Sequence, residues 1–243
     1  FNLSSQISHF IQALLYGLLL LGLTLWMRTL FDTKNMIWFW IALVFAVHPI
    51  HTEVVANLKS RDELFALLFL LFSLWHYQRW LTSKDTRKLM YSVALFLCAL
   101  FSKESAITFL AVYPALVILQ GERTLKSIGS SLAIMGAPAV LFLGIRALVL
   151  SGMGEVDSGV KSLLQNPLIY SDRLFERLLT GANIQALYIS KLFLPINLSH
   201  DYSYNAIEVS GIGDIGGWVW LLGIASFLVL GVYGLIQRKT WGF

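Results

Sequence analysis

Two apolar runs of this sequence stop abruptly at ionisable side chains. His48, His51 and Glu53 follow one run, next to a proline. Lys103 and Glu104 follow another. Histidines and carboxylates can move protons in acid–base catalysis, whereas a lysine can bind a phosphate or pair with an acid. Charges beside apolar segments are expected to be functional or paired in a membrane protein.

The segment HPIHTEVVANLKSRDELF adds further candidates. Arg61 can pair with Glu53 or Asp62, or it can hold a phosphate through its bidentate fork. Ser60 and Glu63 have the spacing of a capping box that opens the next helix. These two residues are therefore assigned a structural role, and Arg61 and Asp62 are kept as functional candidates.

Metal binding is not favoured by the sequence. His48, His51 and Glu53 are separated by three and two positions around a proline, which does not match a compact helical motif such as H-E-x-x-H. The single cysteine, Cys98, excludes an internal disulfide and a cysteine metal cluster. We expect no cofactor, with a divalent metal as the disfavoured alternative.

A later loop, LFLPINLSHDYSYNAI, holds His200 and Asp201 beside Tyr202 and Tyr204. Tyrosines can anchor a chain at the membrane interface. Asp201 either binds a polar substrate or lies in water, and the sequence leaves both readings open.

The elements that must position these residues are helices. The chain has 243 residues, of which 57% are hydrophobic and 13% charged, about half the charge of a soluble domain. In lipid, long apolar runs must satisfy their backbone internally as helices. The sequence predicts an all-α, polytopic transmembrane bundle of about seven spans, near 7–27, 36–47, 64–80, 89–101, 106–119, 128–150 and 218–236, plus an interfacial helix at 172–194.

The basic residues are arranged for membrane orientation rather than for nucleic acid. Loops 28–36, 78–88, 121–127 and 237–240 hold ten of the 18 lysines and arginines but three of the 14 acids. These loops are predicted to face the cytoplasm.

Spans 36–47 and 89–101 then both run outward, and both are short, at ~19 Å against a hydrocarbon core of ~30 Å. Two breaks at similar depth predict one polar cavity that opens on the non-cytoplasmic side.

Four strings carry a resemblance to a known family: FAVHPIHTEVVANLKSRDELFALLF, LFSKESAITFLAVYPAL, QNPLIY and LFLPINLSHDYSYN. In this order they resemble the membrane domain of the glycosyltransferases that combine transmembrane and tetratricopeptide-repeat parts. Those enzymes are similar to protein O-mannosyltransferases of the GT-C superfamily. The residues of these strings are most similar to those of bacterial members of the family, in particular those of Bacteroidetes.

The resemblance implies transfer of a sugar from a polyprenyl-phosphate carrier to an acceptor, often a protein hydroxyl, on the extracytoplasmic side. It implies a multi-pass protein of the bacterial inner membrane, or of the endoplasmic reticulum in a eukaryote. The expected partners are the lipid bilayer, the lipid-linked sugar, an acceptor protein and further membrane subunits, without nucleic acid.

The resemblance also distributes roles among the residues. Basic residues neutralise the leaving lipid phosphate, a role that falls to Arg61 and Lys103. The available carboxylates are Glu53, Asp62, Glu104 and Asp201; the histidines His48, His51 and His200 are placed with the substrate-binding residues.

Residues 1–243 are expected to form a single transmembrane domain that lacks the family's first helix, its acidic external loop and the C-terminal part. The principal base is therefore expected to lie outside this sequence. A transporter with broken helices and a non-catalytic subunit are the alternatives.

Overall fold

The computed structural model describes residues 4–31, 34, 36–152, 168, 173–199 and 207–236. These residues form helices and connecting turns, with no strand among them. The chain divides into two compact units, Phe1–Gly154 and Glu155–Phe243.

Among the described residues, the first unit contains seven α-helices. Their order is interrupted by 3₁₀ segments at Pro49–His51, Leu58–Ser60 and Glu104–Ala111. The α-helices are α1 Ser5–Leu30, α2 Ile37–Val47, α3 Thr52–Ala56, α4 Arg61–Ser83, α5 Thr86–Ser102, α6 Val112–Leu119 and α7 Leu125–Gly152.

The first helix break is set by a proline. The residue before a proline is driven away from the helical region, and His48 has φ −69° and ψ 123°. The apolar helix α2 therefore ends at Val47, and the chain bends by 50° between Ile37–Val47 and Pro49–Ala56. The histidines and Glu53 are carried on the far side of this bend.

The second break lies between α5 and the 3₁₀ helix Glu104–Ala111. Lys103 is extended there, with φ −151° and ψ 127°. A 3₁₀ helix of eight residues is unusually long, because its hydrogen-bond geometry is poorer than that of an α-helix. The two breaks appear at the positions that the sequence predicts.

Helix α4 lies at the centre of this unit. Against α1 it buries leucines around Leu19 and Leu68, and Gly22 of α1 allows the close approach because a Cβ there would lie 3.3 Å from the Phe72 ring. On the other side, Tyr77 packs with Phe96 in a cluster with α5, α6 and α7.

Buried hydroxyl groups join the helices of this second cluster. The Ser73 hydroxyl is bonded to the Ser92 carbonyl at 2.7 Å and to the Tyr113 hydroxyl at 2.7 Å, and the Tyr77 and Ser131 hydroxyls are 2.6 Å apart. Such bonds hold polar groups in pairs where no water is present. The cluster includes residues on both sides of the second break, such as Leu100 and Ala106.

The second unit contains helix α8, Leu174–Phe193, and helix α9, Ile215–Ile236. Gly217 of α9 packs directly on Leu179 of α8, since a Cβ on this glycine would lie 3.2 Å from the leucine Cβ. Asp214 accepts a hydrogen bond from the Gly217 N–H at 3.2 Å and one from the Asn183 amide.

By length and composition, three helices of the described residues can cross a membrane: Ser5–Leu30, Leu58–Ser83 and Leu125–Gly152. The bent pair at Pro49 makes a fourth if it counts as one span. A helix is present at each of the seven predicted spans, but the count of seven crossings stays a prediction, as does the interfacial position of α8.

Candidate functional site

Arg61 is held at the first turn of α4 by neutral groups of α1. Its Nε donates to Gln12 Oε1 at 3.1 Å, and its Nη2 donates to the Ser8 carbonyl at 3.2 Å. In the described part of the chain it forms no ion pair with a carboxylate. The sequence offered Glu53 or Asp62 as partners of Arg61, and neither is bonded to it.

The loop after the first break is tied to α1 as well. The Gln12 amide donates to the carbonyls of Val54, at 2.9 Å, and of Asn57, at 3.2 Å. The Tyr16 hydroxyl lies 3.1 Å from each of two carbonyl oxygens in the last turn of α2, those of Phe45 and Ala46. Carbonyls left open by the end of α2 are thereby satisfied.

The two histidines lie together at this break. The His48 ring accepts a hydrogen bond from the Ile50 N–H at 3.2 Å through Nδ1, which caps the 3₁₀ turn. The His51 ring stacks on Phe45 with centroids 4.1 Å apart and lies 5.9 Å from the His48 ring. His48 thus has a capping role in addition to any chemistry.

Lys103 joins the second break to α4. Its Nζ lies 2.8 Å from Asp62 Oδ2 and 2.8 Å from Glu63 Oε1. The hydrogen bonds to these two carboxylates raise the pKa of Lys103, the Asp62 bond having the larger effect. With one cation and two anions, the cluster keeps a net negative charge at neutral pH.

A cavity of about 310 Å³ lies between the two breaks. Its polar lining residues are Tyr16, His51, Glu63 and Ser105, so residues from both breaks share its wall. The remaining lining residues are apolar: Leu19, Phe45, Val54, Val55, Leu64, Ala66, Leu67, Leu70, Ala106 and Phe109. The sequence predicted a polar cavity, whereas the walls are mostly apolar because α1 and α4 contribute their leucine faces.

Glu104 turns away from Lys103 toward α7. Its Oε2 lies 2.7 Å from Arg146 Nη1, and both side chains are about half exposed. The pair lines an open groove of about 470 Å³ whose walls include Phe101 and Phe142. Glu104 is therefore neutralised by a residue that the sequence analysis did not single out.

Glu53 lies on α3 as an exposed side chain, and its carboxylate has no hydrogen-bond or ion-pair partner among the described residues. His200 and Asp201 lie outside the described residues. Within the described ranges, no group of three or more His, Cys, Asp or Glu side chains can hold a metal ion.

The capping-box prediction is wrong. Ser60 makes no side-chain cap bond, because it ends a 3₁₀ turn with φ −81° and ψ 15° and is not extended. The Asp62 carboxylate instead accepts from the Glu63 N–H at 2.9 Å, and the Glu63 carboxylate binds Lys103.

Sequence reasoning missed Gln12, Tyr16 and Arg146. Gln12 is an isolated amide in an apolar run, and Arg146 is an isolated charge in another. A polar residue in such a run is a functional or pairing candidate by default, and this signal was available. Their partners depend on tertiary packing.

The chain is 31% identical to Protein O-mannosyl-transferase TMTC2 of Homo sapiens over 219 residues, which cover 81% of this chain and 25% of that protein. It is 26% identical to Protein O-mannosyl-transferase F38B6.6 of Caenorhabditis elegans over 74% of this chain and 24% of that protein. By sequence, the chain is similar to the protein O-mannosyl-transferases. A third relative, Tmtc1 of Drosophila melanogaster, is 26% identical over 82% of this chain and 24% of its own length.

The chain spans about a quarter of the length of these relatives. The similarity supports the family indicated by the four strings; the bacterial version stays a prediction. No family model matches the chain, and no solved structure matches it.

Proposed function

We propose that this chain is part of a membrane glycosyltransferase that moves a sugar from a polyprenyl-phosphate carrier to a protein hydroxyl on the extracytoplasmic side. The similarity to proteins named protein O-mannosyl-transferases supports mannose as the sugar and protein as the acceptor. The observation that carries the proposal is the set of contacts of Arg61, a cation at one end of α4 that is held, among the described residues, by neutral groups alone.

In this proposal Arg61 binds the phosphate of the carrier. An arginine has five N–H donors, and the described hydrogen bonds of Arg61 use two of them. The remaining donors suit the oxygens of a phosphate, which arginine binds through its planar fork. Lys103 already binds two carboxylates, so its proposed contribution is to hold Asp62 and Glu63 rather than to bind phosphate directly.

The cavity next to this helix end suits the first part of a prenyl chain. It lies within the size range of ligand pockets, and most of its lining residues are apolar. Gln12 links Arg61 to Val54, which lines the cavity. A prenyl phosphate placed here has its chain against leucines and its phosphate near the arginine.

In the proposed reaction, the sugar passes from the carrier phosphate to the acceptor hydroxyl. The acceptor hydroxyl oxygen attacks the anomeric carbon of the sugar while the bond from that carbon to the phosphate oxygen breaks. The electron pair leaves with the polyprenyl phosphate, and Arg61 stabilises the charge that grows on it. A carboxylate takes the hydroxyl proton, and Glu53 is the best candidate among the described residues because its carboxylate has no described partner.

The proposed location is a multi-pass position in the bacterial inner membrane, or in the endoplasmic reticulum membrane of a eukaryote. No cofactor takes part, and partners in a membrane complex are compatible with the exposed apolar helices. His48, His51, Glu104, His200 and Asp201 stay in the proposal as groups around the substrate.

The test measures transfer of radiolabelled mannose from polyprenyl-phosphate mannose by membranes that contain the full-length protein. We expect Arg61→Ala to lower the rate about 100-fold, the typical effect of removing one donor that stabilises developing charge. Lys59→Ala is the matched control, since it removes an exposed cation two residues away and is expected to leave the rate unchanged.

Thermal unfolding of each variant shows whether the fold is retained. The Arg61→Lys variant keeps the positive charge but lacks the planar guanidinium fork, so it tests the two properties separately. A wild type that transfers no sugar from this donor contradicts the proposal. Equal rates of folded Arg61→Ala and Lys59→Ala proteins contradict the role of the arginine.

A transporter remains the second candidate, because the 50° break at Pro49 also suits a carrier built from interrupted helices. Ion-dependent uptake into vesicles by the full-length protein, together with no sugar transfer, would favour it.

A further inference from the structure

Helix α1 carries a polar stripe that faces the first break. Ser8, Gln12 and Tyr16 are spaced by four residues and therefore share one face of the helix. The Gln12 and Tyr16 side chains bond to main-chain oxygens at the break, and Ser8 accepts from Arg61 through its main-chain carbonyl. Gln12 and Tyr16 lie between apolar residues of this helix, where polar groups are unfavourable unless they have partners.

Gln12 has every part of its amide in use. The side chain has no exposed surface. Its oxygen accepts from Arg61 Nε at 3.1 Å, and its nitrogen donates to the carbonyls of Val54 and Asn57. Because the nitrogen faces two acceptors and the oxygen faces a donor, the orientation of the amide is fixed by its neighbours.

The contact with Gln12 determines where the arginine points. With Nε directed at Gln12 and Nη2 at the Ser8 carbonyl, one edge of the guanidinium is turned toward α1. The Nη1 group has no hydrogen-bond acceptor among the described residues. An amide holds the arginine in this way without neutralising it, which a glutamate at the same position would do.

We propose that Gln12 is a positioning residue, which directs the free edge of Arg61 at a phosphate group while preserving its charge. The inference rests on the proposed function for the identity of the ligand as a prenyl phosphate. The shared chemistry is a phosphate, which either a lipid carrier or the free anion can supply.

The experiment measures dissociation constants of the purified full-length protein in nanodiscs for farnesyl phosphate and for inorganic phosphate. The variants are Gln12→Met, Arg61→Ala and the double variant. Gln6→Met is the matched control, because Gln6 is an exposed glutamine on the same helix. Thermal unfolding is recorded for each protein.

We expect Gln12→Met to weaken farnesyl phosphate binding about tenfold, the effect of about one hydrogen bond to a charged group. Arg61→Ala should weaken it at least as much, and the double variant should be no worse than Arg61→Ala alone. Gln6→Met should stay within about twofold of wild type. Farnesyl phosphate bound more tightly than inorganic phosphate identifies the lipid as the source.

Losses that add in the double variant indicate a structural role only and overturn the inference, as does unchanged binding in a folded Gln12→Met protein. If Gln12→Met does not fold, Gln12→Glu replaces it. Its carboxylate can still accept from Arg61 but neutralises it, so retained affinity would overturn the inference.

Failure of the proposed function is distinguishable. A wild type that binds phosphate but transfers no sugar contradicts that function. The binding constants of the two single variants and the double variant can still be compared in that case. A wild type that transfers sugar but binds neither phosphate contradicts the inference alone.

Discussion

Replacing Lys103 by methionine tests whether charge holds the second helix break against α4. The substitution retains an unbranched side chain that is one atom shorter, and it removes both contacts, to Asp62 and to Glu63, each 2.8 Å long. It also leaves two neighbouring carboxylates without their cation. The start of the 3₁₀ helix, where the Ala106 N–H donates to the Lys103 carbonyl at 3.1 Å, should then open more often.

The magnitude follows from the exposure of the three side chains, which are 33%, 41% and 46% exposed. Partly exposed ion pairs contribute ~0.5 kcal/mol each, so the two contacts together give about 1 kcal/mol. That free energy corresponds to about a fivefold change in a local opening equilibrium.

Hydrogen exchange followed by mass spectrometry on the full-length protein measures this opening. We expect amides of the segment 104–106 to exchange about five times faster in Lys103→Met, and Glu63→Gln to give a smaller increase. Lys88→Met is the control, because its ion pair with Asp85 is longer, at 4.0 Å. Unchanged exchange at 104–106, or the same change in the control, would refute the reasoning.

Two further predictions concern the second unit. Gly217→Leu should destabilise the packing of α8 on α9 by about 1–3 kcal/mol, because the new side chain meets Leu179; Gly223→Leu, where a Cβ meets nothing within 4 Å, should have little effect in the same thermal unfolding assay. Hydrogen bonds from the Gly217 N–H, Ser210 and Asn183 lower the pKa of Asp214, so its contribution to stability is present above the ordinary carboxyl pKa and is lost as pH falls through the lowered value. Exchange at the Gly217 amide, corrected for its intrinsic rate, should rise over that acid range in wild type and show no such rise in Asp214→Asn.

The helices could be predicted because neighbouring residues in the sequence determine where each helix begins and ends. Apolar runs define the bodies of the helices, and Pro49 and Lys103 mark the breaks because a proline and a charge act on their immediate neighbours. That the two breaks share one cavity is also a prediction, made from their similar depth in the membrane alone. The shared cavity wall, with His51 and Ser105, is consistent with it.

The pairing of the site residues could not be predicted in the same way. Arg61 had two acidic candidates nearby in sequence, yet its partner is Gln12, 49 residues earlier. Glu63 was assigned to a local cap, whereas its carboxylate binds Lys103. The packing of the helices determines which partner a side chain bonds, and that packing depends on residues throughout the unit.

Helix α2 has a consequence for how this protein tolerates change. None of its residues is buried, although the helix is wholly apolar. Its end is fastened through main-chain oxygens, those of Phe45 and Ala46, which any residue type would supply. Selection on most positions of this helix should therefore act on the hydrophobicity of the side chain and not on its shape. Leucine, valine and isoleucine should replace one another there with little loss of stability.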